Sequence, residues 1–139
     1  MVILFDRYNL PEDIYEIIFA TSQQKIVGKL LISELKEKDG EITKTEMSLF
    51  ATRLHDGELI TVLNEPGYEG KKVKMSYNKR QFYDRILTPM KSMGLIDYDL
   101  YKKTYRISDS FNKEMLRIGL KWIREFRRPA YALNKKKKS

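Results

Sequence analysis

Residues 78–93 read Asn78-Lys79-Arg80-Gln81-Phe82-Tyr83-Asp84-Arg85-Ile86-Leu87-Thr88-Pro89-Met90-Lys91-Ser92-Met93, and Gly94 follows. At the ~100° per residue of an α-helix, Phe82, Ile86, Pro89, Met90 and Met93 gather on one side. Arg80, Gln81, Asp84, Thr88 and Lys91 gather on the other, with Lys79, Tyr83 and Arg85 on the flanks. The spacing predicts an amphipathic helix with a core face and a solvent face of cations and amides. Ser76 is the expected N-cap, and Gly94 the stop, because glycine takes the left-handed conformation without steric cost. Pro89 removes one backbone donor and crowds the turn before it, so a kink or restart is expected there, beyond the face that bears Arg80 and Asp84.

On the C-terminal side, Leu95-Ile96-Asp97-Tyr98 and Thr104-Tyr105-Arg106-Ile107 read as two strands around the loop 99–103. Asp109 or Ser110 then opens a helix with Phe111, Met115, Ile118, Trp122 and Phe126 on one stripe and Leu116, Leu120 and Ile123 beside it. Phe82, Phe111, Trp122 and Phe126 are assigned to core packing rather than base stacking. An apolar surface this wide needs a second burial partner, either a second copy of the chain or a helix near the N-terminus. Residues 129–139 read as a disordered basic tail.

On the N-terminal side, Leu59–Leu63 and Lys71–Met75 flank a turn-rich segment and predict a hairpin, with Lys72 and Lys74 on the side opposite Val73 and Met75. Those lysines suit phosphate, or the protection of an edge strand. Thr43 with Glu46 forms a capping box for a helix whose apolar face is Met47, Phe50, Ala51 and Leu54, closed at Asp56-Gly57. A short extended piece, 41–43, precedes it. Earlier still, Ser22 is the expected cap of a helix carrying Ile26, Val27, Leu30, Leu31 and Leu35. A prefix helix is expected from about Pro11 to Ala20. The organisation expected is an extension with a helix over 1–21, a folded unit over 22–108, a packing or dimerisation helix over 109–128, and the tail.

Charge divides the chain. Residues 1–70 hold 7 Lys and Arg against 13 Asp and Glu, whereas residues 71–139 hold 20 against 6, within a formal net charge of +8. Such a field draws a polyanion to one part of the molecule. The chain has no cysteine and one histidine, His55, expected in a solvated loop. That excludes disulfides and thiolate metal sites, and no nucleophile, base and orienting group can be assembled; no enzyme activity, metal or cofactor is expected. No apolar run is long enough to span a bilayer, and 1–5 is too short for a signal core. The expectation is a soluble, cytoplasmic, nucleoid-associated protein that does not engage membranes.

The order helix, short strand, helix, helix, hairpin resembles the winged helix-turn-helix family. The residues carrying the resemblance are Arg80 to Leu87, the step Met90-Lys91-Ser92-Met93-Gly94-Leu95-Ile96 and the strand Tyr105-Arg106-Ile107-Ser108, over roughly 22–108. The fold implied is α+β, mainly α: a winged helix-turn-helix with an extra N-terminal helix, a hairpin insertion before the recognition helix and a long C-terminal helix. In place of the family's short turn between second and third helices, about 20 residues separate His55 from Ser76.

The resemblance implies that helix 78–93 enters the major groove of double-stranded DNA. Arg80 and Gln81 then fall to base edges, and Asp84 either accepts from cytosine or holds Arg80 or Lys91. Lys79, Tyr83, Arg85, Thr88 and Lys91 fall to the DNA backbone, and Tyr101, Lys102, Lys103 and Arg106 form the wing. Each of these also fits a solvated surface position. Phe111, Met115, Ile118, Trp122 and Phe126 are the candidate dimer surface. A two-fold homodimer implies half-sites ~34 Å apart. The function implied is transcriptional regulation. A partition, replication or architectural role in a plasmid or virus, or a winged-helix module for protein–protein interaction, are the alternatives.

Overall fold

The computed structural model describes residues 7, 8, 11, 13–63 and 70–130. The apolar start, the loop 64–69 and the tail beyond residue 130 lie outside them. The chain separates into two units, Met1–Ser108 and Asp109–Ser139. The architecture is α+β and mainly helical, with one three-stranded antiparallel sheet and a separate hairpin.

The first unit opens with α1 (Ile14–Ile18). It is shorter than the 11–20 expected, because the Asp13 side chain accepts from Glu16 N at 3.0 Å and so fixes the start three residues after Pro11. Phe19 follows in an extended conformation and turns into the core. Its ring would meet a Cβ on Gly28 at 2.6 Å, so that residue of the next helix must be small. The next helix, α2 (Ser22–Glu37), is capped by Thr21 rather than Ser22: the Thr21 hydroxyl accepts from Gln24 N at 3.1 Å. Ile26, Val27, Leu31 and Leu35 bury its inner stripe.

Strand β1 (Glu41–Thr43) leads into α3 (Lys44–His55). The capping box forms as read, Glu46 N donating to Thr43 Oγ1 at 3.1 Å and Thr43 N to Glu46 Oε1 at 3.0 Å. Met47, Phe50, Ala51 and Leu54 are buried on its inner face. The antiparallel pair β2 (Leu59–Leu63) and β3 (Lys71–Met75) matches the expected hairpin, with Leu59 opposite Met75. Met75 and Tyr77 root it in the core.

Helix 79–92 follows in three pieces: α4 (Lys79–Phe82), a wide π-type turn (Tyr83–Leu87) and α5 (Thr88–Ser92). The sheet then completes with β4 (Ile96–Asp99) and β5 (Thr104–Ile107). Strand order is β1-β5-β4, Ile42 facing Tyr105 and Tyr98 facing Tyr105 from the other side. The sequence showed 41–43 only as extended; its pairing with β5 is what ties the terminal hairpin back to the start of α3.

One apolar core runs through this unit, from Phe19 through Leu31, Leu54 and Phe82 to Ile96 and Tyr105. Phe82 lies 5.6 Å from Phe50, ring centre to ring centre, and joins helix 79–92 to α3. Truncating such a fully buried aromatic costs about 3–5 kcal/mol.

The second unit contains α6 (Ser110–Arg127). None of its residues is buried, and Trp122 and Phe126 are 65% and 61% exposed. The assignment of these two rings to core packing is therefore corrected. An amphipathic period shows that a helix has an apolar side; it does not say what covers it.

Candidate nucleic-acid interface

Helix 79–92 starts from Asn78, not Ser76. The Asn78 side chain accepts from Gln81 N at 3.1 Å, while Ser76 donates its hydroxyl to the His55 carbonyl at 3.2 Å. Both residue types cap well, but only Asn78 stands three residues before an open amide of the first turn.

The wide turn corrects two further expectations. Pro89 has no N–H for the carbonyl of Arg85, and the helix relieves this by bonding Thr88 N to the Tyr83 carbonyl, five residues back. The Thr88 hydroxyl donates to the same carbonyl at 2.8 Å. The distortion thus begins at Tyr83 and includes Asp84, rather than sparing that face. The wider turn retards the rotation, so Leu87 swings into the core beside Phe82, Ile86 and Met90, Pro89 is half-buried, and Met93 stays 40% exposed.

Along the outer side, Arg80, Gln81, Asp84, Arg85, Thr88 and Lys91 are all exposed. The Arg80 side chain is 93% open, with Nε 4.0 Å from Asp84 Oδ2. So open an i,i+4 pair contributes little, and the guanidinium keeps its free donors. Asp84 therefore stands beside Arg80.

Lys79 takes a different place. Its ammonium donates to Thr52 Oγ1 at 2.9 Å and Ser48 Oγ at 3.1 Å, and its backbone N–H donates to His55 Nδ1 at 3.2 Å. It locks helix 79–92 onto α3, and its charge is turned inward rather than toward a phosphate. His55 is exposed, but it is the last residue of α3 rather than part of a loop, and its acceptor nitrogen serves the first turn of the neighbouring helix. Ser48, Thr52 and His55 were missed because their partner is 24 to 31 residues away.

Tyr83 is half-buried, edge-on to Phe82 at 5.5 Å. The Lys91 ammonium sits 5.6 Å and 5.9 Å from the ring centres of Tyr98 and Tyr105, whose rings are 4.5 Å apart. Burial first, then neighbouring Tyr83 and Tyr98, push the Tyr105 hydroxyl above the ordinary tyrosine value. Lys91 thus bridges the end of the helix to the β4–β5 hairpin.

At the hairpin tip, Tyr101, Lys102 and Lys103 are exposed. Asp99 shapes the tip by accepting from Tyr101 N at 2.9 Å and Lys102 N at 3.1 Å. Those amides, with the Lys102 charge, hold its carboxyl below the usual aspartate range. The Asp-x-x-Lys pattern was a visible sign of this turn. Arg106 is exposed, flanked in register by Glu41 on β1 and Asp97 on β4. On the other hairpin Lys72 and Lys74 are exposed, and neither joins an ion pair among the described residues.

Among the described residues no helix is long and apolar enough to cross a membrane. Compared with family models, curated proteins and solved structures, the chain matches none.

Proposed function

We propose that the first unit is a winged helix-turn-helix module that binds double-stranded DNA, with helix 79–92 in the major groove and the β4–β5 hairpin as its wing. The observation that carries this reading is the helix itself. Phe82, Ile86, Leu87 and Met90 anchor one side, while Arg80, Gln81 and Arg85 are exposed on the other. Arg and Gln are the side chains that pair bidentately with guanine and adenine. The strand order β1-β5-β4, and the cation excess after residue 70, support it. Sequence-selective transcriptional regulation is the role such a helix suits best; partition or architectural roles on DNA use the same contacts.

A protein-interaction module is the second reading. It is favoured by the acid excess of residues 1–70 and by Leu49, an exposed apolar residue on α3.

A salt-dependent titration of the whole chain with duplex DNA tests the proposal. On this reading five exposed cations would meet phosphates: Arg85, Lys91, Lys102, Lys103 and Arg106. At ~0.9 counterion per phosphate, log K should fall with log salt at a slope of about −4 to −5 per protomer. Binding that is absent at low salt would refute DNA recognition and leave the protein module.

A further inference from the structure

Helix α6 carries eight apolar side chains on one face, seven of them exposed and Phe111 half-buried. At ~100° per residue, Phe111, Met115, Leu116, Ile118, Leu120, Trp122, Ile123 and Phe126 cover an arc of about 200°, interrupted by Asn112 and, at the last residue, Arg127. Lys113, Arg117, Lys121 and Arg124 share the remaining arc with Glu114 and Glu125. The acids are tied along the helix, Arg117 to Glu114 at 2.6 Å and Arg128 to Glu125 at 3.6 Å.

The second observation is Gly119. Glycine in a helix interior is unfavourable relative to almost any other residue. A Cβ at Gly119 would have no heavy atom of the described residues within 4 Å. Gly119 lies at the centre of the apolar arc and midway along Ser110–Arg127. Outward from it the apolar residues step evenly: Met115 and Trp122, then Phe111 and Phe126.

We infer that α6 is a self-association element, crossing the α6 of a second copy at Gly119. A missing side chain at the centre of an apolar face gains nothing against lipid, but it lets two helix backbones approach closely where they cross. The even stepping makes the face complementary to itself under a two-fold axis through the midpoint, as an isologous contact requires. Pairing through this arc keeps the two cationic arcs on opposite sides of the pair. With aromatic side chains burying ~150–250 Å² each and aliphatic ones less, the open part of the face is on the order of 700 Å². That is close to the ~800 Å² per partner of a standard interface. The inference stands apart from DNA binding, which the first unit alone supports.

Sedimentation of the full chain at tens of micromolar, without DNA, tests it. The wild type should be a dimer. Gly119→Leu should weaken association by about ten-fold or more while raising helix content, since leucine is much the better helix former but holds the backbones apart. Trp122→Glu should give a monomer whose first unit still unfolds cooperatively. A monomeric wild type, or a Gly119→Leu chain that associates as tightly as wild type, overturns the inference. So does a monomeric wild type that binds vesicles of phosphatidylglycerol and phosphatidylcholine, and binds them more tightly with Leu at 119; α6 would then lie on a lipid surface.

Discussion

Lys79 Nζ lies 2.9 Å from Thr52 Oγ1, and the backbone N–H of the same lysine donates to His55 Nδ1 at 3.2 Å. One residue therefore fixes the start of helix 79–92 on α3 through both its side chain and its main chain. In place of a short turn between these helices the chain has the β2–β3 hairpin, and the lock holds the two helices together across it. The angle at which Arg80 and Gln81 leave the surface depends on this contact.

Lys79→Met removes the donor while keeping the apolar stem. It should destabilise the fold by about 1–2 kcal/mol, the cost of leaving part-buried hydroxyls with fewer partners, measured by urea unfolding. The salt slope of DNA binding should stay unchanged. A slope shallower by about one at unaltered stability would instead show that this ammonium reaches a phosphate.

Glu46 gives a pH dependence whose sign is fixed. The Thr43 amide, the Lys38 ammonium at 2.9 Å and the Thr43 hydroxyl hold its carboxyl below the ordinary glutamate value. A depressed folded-state value means stabilisation that is complete above the ordinary carboxylate range and is lost as pH falls through the folded value. Lys38 is raised by the same contact, so its share is complete at neutral pH and lost only in strong alkali. A carbon-detected NMR titration should place the Glu46 midpoint below that of ordinary glutamates. In Glu46→Gln the acid-side decline in stability should be flatter. A Glu46 midpoint at or above the ordinary value would remove the capping box from the account.

Thr104 Oγ1 is buried and has no hydrogen-bond partner among the described residues. A buried hydroxyl in that state costs about 1–3 kcal/mol. Thr104→Val keeps the β-branched shape on β5 and should leave thermal stability equal or raise it by up to about 1 kcal/mol. A clear loss of stability would mean that the hydroxyl is bonded.

Much of this was written in local pattern. The Thr43 and Glu46 box, the Asp56-Gly57 stop and Gly94 as terminator all depend on residues within four of one another. Gly94 indeed has φ 80°. The wide turn at Tyr83–Leu87 was half legible: Pro89 announced a defect, but whether a helix kinks, breaks or widens is decided by what its neighbours can bury, here Leu87. The inward turn of Lys79 depends on Ser48, Thr52 and His55 of another helix, which no periodicity on 78–93 encodes. The exposure of Trp122 and Phe126 was misread because an apolar stripe is the same string whether its partner is the chain's own core or a second chain.

Base preference and salt slope, determined together for two variants, test the central claim most directly. If helix 79–92 reads bases and the hairpin tip holds phosphates, Arg80→Ala should lower the preference for a selected site, by about 1–3 kcal/mol at one base pair, with a nearly unchanged slope. Lys102→Ala with Lys103→Ala should weaken all sequences alike and shallow the slope by about two. Equal affinity of wild type and both variants for every duplex at moderate salt would contradict the account.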